Sequence, residues 1–155
     1  MYGAMILLTM AILPVGSILI EAKLGGGSAT SLPLIGKWFV FWVVGVRLFI
    51  AGVSQAMNPG YTAALLDVKE TTSFITIQEL GFANIAMGTL GLLALFNSHW
   101  VTPGAVAGGL FLGLAGVRHV LKGERSGKEN IAMISDLAAA AVLAYYVAAT
   151  AWRSL

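Results

Sequence analysis

The sequence predicts an all-α integral membrane fold with five spanning helices. Hydrophobic residues make up 58% of the chain and charged residues only 10%, with mean hydropathy +0.87. A soluble domain carries about 25% charged residues. The apolar residues fall into five runs, each near the ~20 residues that about 30 Å of hydrocarbon requires. Short segments rich in Gly, Pro, Ser or charge separate them. The length fits one transmembrane domain, residues 1–155.

The first helix is expected over residues 2–22, with Pro14 inside it as the source of a kink. Residues 1–4 contain no Lys or Arg. A secretory signal needs a basic start, so this run is expected to be a retained helix. Residues 24–32 are rich in Gly and Ser and predict a flexible loop. The second helix, 34–57, is stopped by Asn58-Pro59-Gly60. Residues 61–70 are mildly amphipathic and predict a short surface helix. The third helix is expected over 72–97, and the short turn at 97–102 makes it an antiparallel neighbour of the fourth, 103–121. Pro103 suits a first helical turn. A charged loop, 122–128, leads to the fifth helix, 129–152.

Five spans put the termini on opposite sides. The side of the N-terminus carries Lys69, Arg118, Lys122, Arg125 and Lys128, and the other carries Lys23, Lys37 and Arg153. The positive-inside rule then makes the N-terminus cytoplasmic and the C-terminus periplasmic or extracellular. Trp38, Trp42, Trp100 and Trp152 all fall toward the second side and form half of an aromatic belt. Gly104/Gly108 and Ala105/Gly109/Gly113, and on the fifth helix Ala141, Ala144 and Ala148, are small-residue patterns that let backbones approach. Packing within the chain is the expected use, with homodimerisation as the alternative.

The chain has no cysteine. That excludes disulfides, thiolate metal sites, iron–sulfur clusters and covalently attached haem. A net charge of +2, without a basic run interleaved with aromatics, gives no footprint for nucleic acid. His119, Glu124, Glu129 and Asp136 are metal-ligand types, but their spacing matches no metal signature. His99 and His119 fall near opposite surfaces, so a bis-His haem is not expected. No phosphate loop, nucleophile elbow or Ser/His/Asp grouping occurs. Met5, Met10, Met57, Met87 and Met133 are scattered over different helices, as apolar packing would leave them.

Arg47 sits in the middle of an apolar run. A cation at that depth costs roughly 2.5–3.5 kcal/mol and normally faces protein and a partner. Glu79 and Asp136 each lie about two turns into their helices from the N-terminal side, and Arg47 one or two turns deeper, at about 1.5 Å per residue. Arg118 and His119 occupy the last turn of the fourth helix on the same side. The expectation is a buried network in which Arg47 pairs with Glu79, Asp136 or both, with Gln78, Asn84 and Ser135 adding hydrogen bonds. The candidate site is therefore Arg47, Glu79, Asn84, His119 and Asp136. Such a network either fixes helix register or forms the polar end of a ligand or proton site.

Val46-Arg47-Leu48-Phe49-Ile50-Ala51-Gly52-Val53, followed by Asn58-Pro59, resembles the first helix of DoxX-like membrane proteins, which carries an Arg, small residues and then a loop with Pro. Glu79-Leu80-Gly81, with Gly88 and Gly91 beyond it, resembles their second helix. Residues 108–119 and 132–136 are similar to the third and fourth more loosely. The resemblance implies a DoxX-like four-helix bundle made by helices 2–5, plus an extra N-terminal helix, in an uncharacterised branch of these small bacterial proteins. It implies the bacterial inner membrane and, for some members, association with redox systems. Small size, short loops and the lack of a catalytic motif lead to an expected role as an accessory or structural subunit. A module binding a lipophilic molecule, a quinone or a lipid, and a small transporter or proton pathway are the alternatives. The expected partners are the bilayer, other membrane subunits or further copies of the chain.

Overall fold

The computed structural model describes residues 2–65 and 73–153. Every regular element among the described residues is helical. In chain order these are α1 (Gly3–Gly25) and α2 (Leu32–Met57), a short α3 (Pro59–Leu65), then α4 (Ser73–Leu93), α5 (Val101–Leu121) and α6 (Gly127–Trp152). A 3-10 turn, Ser98–Trp100, leads into α5. Four segments are long and apolar enough to cross a membrane: α1, α2, Ser98–Leu121 and α6. Large apolar side chains such as Leu19, Leu110, Leu114 and Ile134 point outward. The protein is a multi-pass membrane protein. α4, with Gln78, Glu79 and Asn84 in its sequence, falls outside the four.

Helix boundaries differ from the predicted ones in ways the residues explain. α1 runs on to Gly25 and is closed by Gly26, whose φ of 65° is left-handed and whose N–H donates to the Ala22 carbonyl. That conformation favours glycine, and it shortens the expected loop. α2 begins at Leu32, with Pro33 in its first turn. α4 ends at Leu93, and residues 94–96 form a turn rather than further helix. Of the expected surface helix only the part up to Leu65 is seen; Lys69, Glu70 and Thr72 lie outside the described residues.

Two π-helical turns interrupt the first two spans, at Leu8–Ile12 in α1 and Val40–Val46 in α2. The first has a local cause. Pro14, fully buried, lacks an N–H, and its ring presses on the carbonyl four residues back. A widened turn just before it relieves both problems.

α1 and α2 form an antiparallel hairpin whose partners recede evenly from the turn. Glu21 meets Lys37 and Trp38, Ser17 meets Trp42, and Met10 meets Arg47. α4 lies against the second half of α2 with backbones nearly touching. A Cβ on Gly91 would strike the backbone of Gly45, one on Gly88 would stand 2.6 Å from the Phe49 nitrogen, and one on Gly52 2.6 Å from the Gly81 carbonyl oxygen. α5 uses its glycines on two faces. Gly104 and Gly108 receive Val40 and Val44 of α2, while Gly109 and Gly116 receive Leu143 and Leu137 of α6. Around these contacts lies the core, with Val40, Val43, Val44, Ala139 and Leu143 wholly buried. The expected packing role of α5 therefore lies within the chain. Ala141, Ala144 and Ala148 differ: they are exposed on the outer side of α6, because its inward face is set by Ala139, Leu143 and Tyr146.

Replacing Gly91 with Val is expected to destabilise the protein in detergent by about 1–3 kcal/mol or more, through overpacking at the α2–α4 contact. Gly16 has nothing within 4 Å of a built Cβ. Gly16→Ala is expected to be neutral or stabilising by up to about 1 kcal/mol. Thermal unfolding of the two variants checks both outcomes.

Candidate functional site

Arg47 is the first residue after the π turn of α2 and points into the bundle, with only 10% of its side chain exposed. Its guanidinium forks across two helices. Nη2 donates to Asp136 Oδ1 of α6 at 2.5 Å and to Ser135 Oγ at 3.2 Å. Nη1 donates to the Met10 sulfur of α1 at 3.4 Å. The Ser135 hydroxyl in turn donates to the Ala132 carbonyl at 2.8 Å, which aims its oxygen lone pairs at the guanidinium. Asp136 is equally enclosed, with 8% of its side chain exposed. An intramembrane cation is thus matched by one acid at its own depth, and three helices are joined at one point. Met10, expected only as packing, supplies a soft acceptor here.

The other residues of the expected network go elsewhere. Glu79 is exposed and makes no hydrogen bond or ion pair among the described residues. The buried face of α4 is drawn by Gly81, Asn84, Gly88 and Gly91. Glu79 stands two residues before Gly81, about 200° around the helix at 3.6 residues per turn. It faces out, beside Ile75 and Phe82. Asn84 is buried, but its amide donates to Gln55 Oε1 at 2.7 Å, and Gln78 donates to the Ala56 carbonyl at 3.2 Å. Both tie α4 to the end of α2 and neither reaches Arg47. His119 is half-buried near the end of α5, where its carbonyl accepts from Arg125 at 3.0 Å. Arg118 beside it is exposed. The network is therefore a tight Arg47–Asp136–Ser135–Met10 cluster without Glu79 or Asn84, and His119 acts on Asp136 through its charge, with no hydrogen bond between them.

Two further polar clusters lie nearer the helix ends. At the α1–α2 turn, Lys37 Nζ lies 2.8 Å from Glu21 Oε2 and 2.9 Å from Oε1, and Trp38 Nε1 donates to Oε2 at 2.7 Å. The ammonium also stands 5.0 Å from the Trp38 ring centre. Sequence reasoning missed Glu21. The available signal was the spacing: Glu21 and Lys37 flank the turn at similar distances. In the 122–130 region Lys122 pairs with Glu129, and Ser126 and Glu129 form a reciprocal cap on α6. Arg125 Nη1 gathers the carbonyls of His119, Val120 and Lys122 at the end of α5. The charged loop is thus pinned at both ends. Among the described residues, no three His, Asp or Glu side chains converge as a metal site would require.

The Arg47–Asp136 pair makes a sharp prediction. Arg47→Leu or Asp136→Leu alone is expected to destabilise the protein by about 3–5 kcal/mol, since each leaves a buried charge unpaired. The double variant is expected to recover much of that loss. Adding Glu79→Leu to Arg47→Leu should recover nothing. Thermal unfolding in detergent, read as a double-mutant cycle, checks the coupling.

No curated protein and no solved structure matches the chain. The sequence model of DUF6790, a family of unknown function, matches residues 4–154. With nearly its whole length matched, the chain belongs to that family.

Proposed function

We propose that the protein is an accessory, structural subunit of a larger membrane assembly, with α4 as a fifth span. The observation that carries this reading is Glu79. A carboxylate stands on the outer face of an apolar helix, between Ile75 and Phe82, which are 66% and 60% exposed. A carboxylate facing lipid costs up to roughly 2.5–3.5 kcal/mol at the helix centre. A cation on a neighbouring subunit removes that cost, and nothing among the described residues of this chain supplies one. Packing supports the fifth span: α4 lies along α2 through Gly45/Gly91, Phe49/Gly88 and Gly52/Gly81. The N-terminus is cytoplasmic in this reading, supported by Arg118, Lys122, Arg125 and Lys128 on its side of the bundle. The likeness of residues 46–53 and 79–81 to DoxX-like proteins of the bacterial inner membrane supports the same role, since some of those are subunits of redox assemblies. A ligand or proton site at Arg47 draws less support, because Asp136, Ser135 and Met10 already occupy the guanidinium.

The test is extraction in a mild detergent followed by native mass spectrometry. The expected particle exceeds the 16.2 kDa of one chain and contains other subunits. Glu79→Leu is expected to release the chain from that particle without lowering its own unfolding temperature. A lone, intact 16.2 kDa chain after gentle extraction overturns the proposal.

A further inference from the structure

A second site lies at the opposite end of the bundle from the 122–130 loop. A cavity of about 290 Å³ opens between the end of α1, the start of α2, the α4–α5 connection and α6. Leu34, Phe96 and Val101 give it apolar walls, and Glu21, Lys37, Asn97, Ser98 and Tyr146 line it with polar groups. Tyr146 is the unusual member. Only 8% of it is exposed, and its ring packs over Gly36, where any side chain would strike it. Its hydroxyl makes no hydrogen bond among the described residues and is not sealed in the core. Buried tyrosines normally find a partner for the O–H. A residue lining the cavity thus has a free donor to offer a ligand.

The charge of the cavity narrows what that acceptor is. Glu21 and Lys37 neutralise each other at 2.8 Å, so the site has no net charge to hold an anion or a cation. Glu21 already accepts from Lys37 and Trp38. Lys37 has three N–H groups and directs two contacts at Glu21, which leaves a third donor, and Tyr146, Asn97 and Ser98 add theirs. Several donors in an electrically neutral cleft suit neutral carbonyl oxygens on an apolar body. Glu21 also lines a second hollow of about 570 Å³, with Ile20, Leu24 and Trp38, on the flank of the α1–α2 hairpin.

We propose that this cleft binds a neutral, carbonyl-bearing amphiphile, with the Tyr146 hydroxyl and the Lys37 ammonium donating to its oxygens. The carbonyl belongs either to a quinone ring or to the ester of a neutral lipid. This site is independent of the subunit reading, because it lies far from Glu79 and its test uses the chain alone.

The experiment is thermal unfolding of the purified chain in dodecyl maltoside, titrated with decylubiquinone, with dioctanoylglycerol and with decylammonium chloride. A saturable rise of about 2–4 °C with one of the first two probes is expected, and none with the ammonium. A rise with the quinone alone assigns the quinone source, and a rise with the glyceride alone assigns the lipid ester. Tyr146→Phe is expected to remove the rise while leaving the unliganded unfolding temperature unchanged, since the hydroxyl has no protein partner to lose. Leu34→Trp, which fills the cleft from the first turn of α2, is expected to remove the rise as well. No rise with either neutral probe, an equal rise with decylammonium, or a full rise in Tyr146→Phe overturns the proposal.

Discussion

A guanidinium cannot stay unpaired in hydrocarbon, and the bundle is arranged around meeting that constraint at Arg47. The charge lies on α2 and its acid on α6, with Met10 of α1 closing the remaining side. Replacing the pair with matched apolar groups is often neutral or stabilising in soluble proteins. What the pair provides instead is specificity. Sliding or rotating α6 against α2 by one residue carries Asp136 off the guanidinium and exposes two charges to an apolar surround. The cluster fixes which faces of α1, α2 and α6 meet, and at what depth.

α2 is the helix on which everything else is mounted. One face gives Trp38 and Trp42 to α1, and another presses Val40 and Val44 into the glycines of α5. A third offers bare backbone at Gly45 and Gly52 to α4. The π turn at Val40–Val46 falls among these surfaces. Each extra residue in such a turn rotates the downstream half of the helix by about 100°. The residues before and after the turn are thereby offset in direction within one continuous span. The side-chain chemistry changes accordingly along the helix, from indoles near one end to glycine and a buried charge further on.

Arg47 and Asp136 are legible in the sequence because a charge in an apolar run demands a partner, and counting residues from the helix ends gives depth. Depth alone does not give direction, which is why Glu79 groups with them on sequence grounds and not in space. The missing information is present in the chain: Gly81, Asn84, Gly88 and Gly91 repeat every three or four residues and mark the inward face of α4. Glu79 is off that stripe. The Glu21–Lys37 pair is legible in principle, from two opposite charges placed evenly about a Gly/Ser turn. The π turn of α2 is not, because no proline stands just beyond it as Pro14 stands beyond that of α1. The cleft at Tyr146 depends on four segments distant in sequence, and no local pattern announces it.

The sequence separation of the central pair bears on how the chain is made. Glu21 and Lys37 are 16 residues apart, so the first hairpin can neutralise its own charges almost as soon as it is synthesised. Arg47 and Asp136 are 89 residues apart. At ribosomal speed that interval lasts on the order of 10 s. For that time the newborn guanidinium has no acid of its own, and the first two helices have to wait at the insertion machinery or the bilayer rim until the last one arrives.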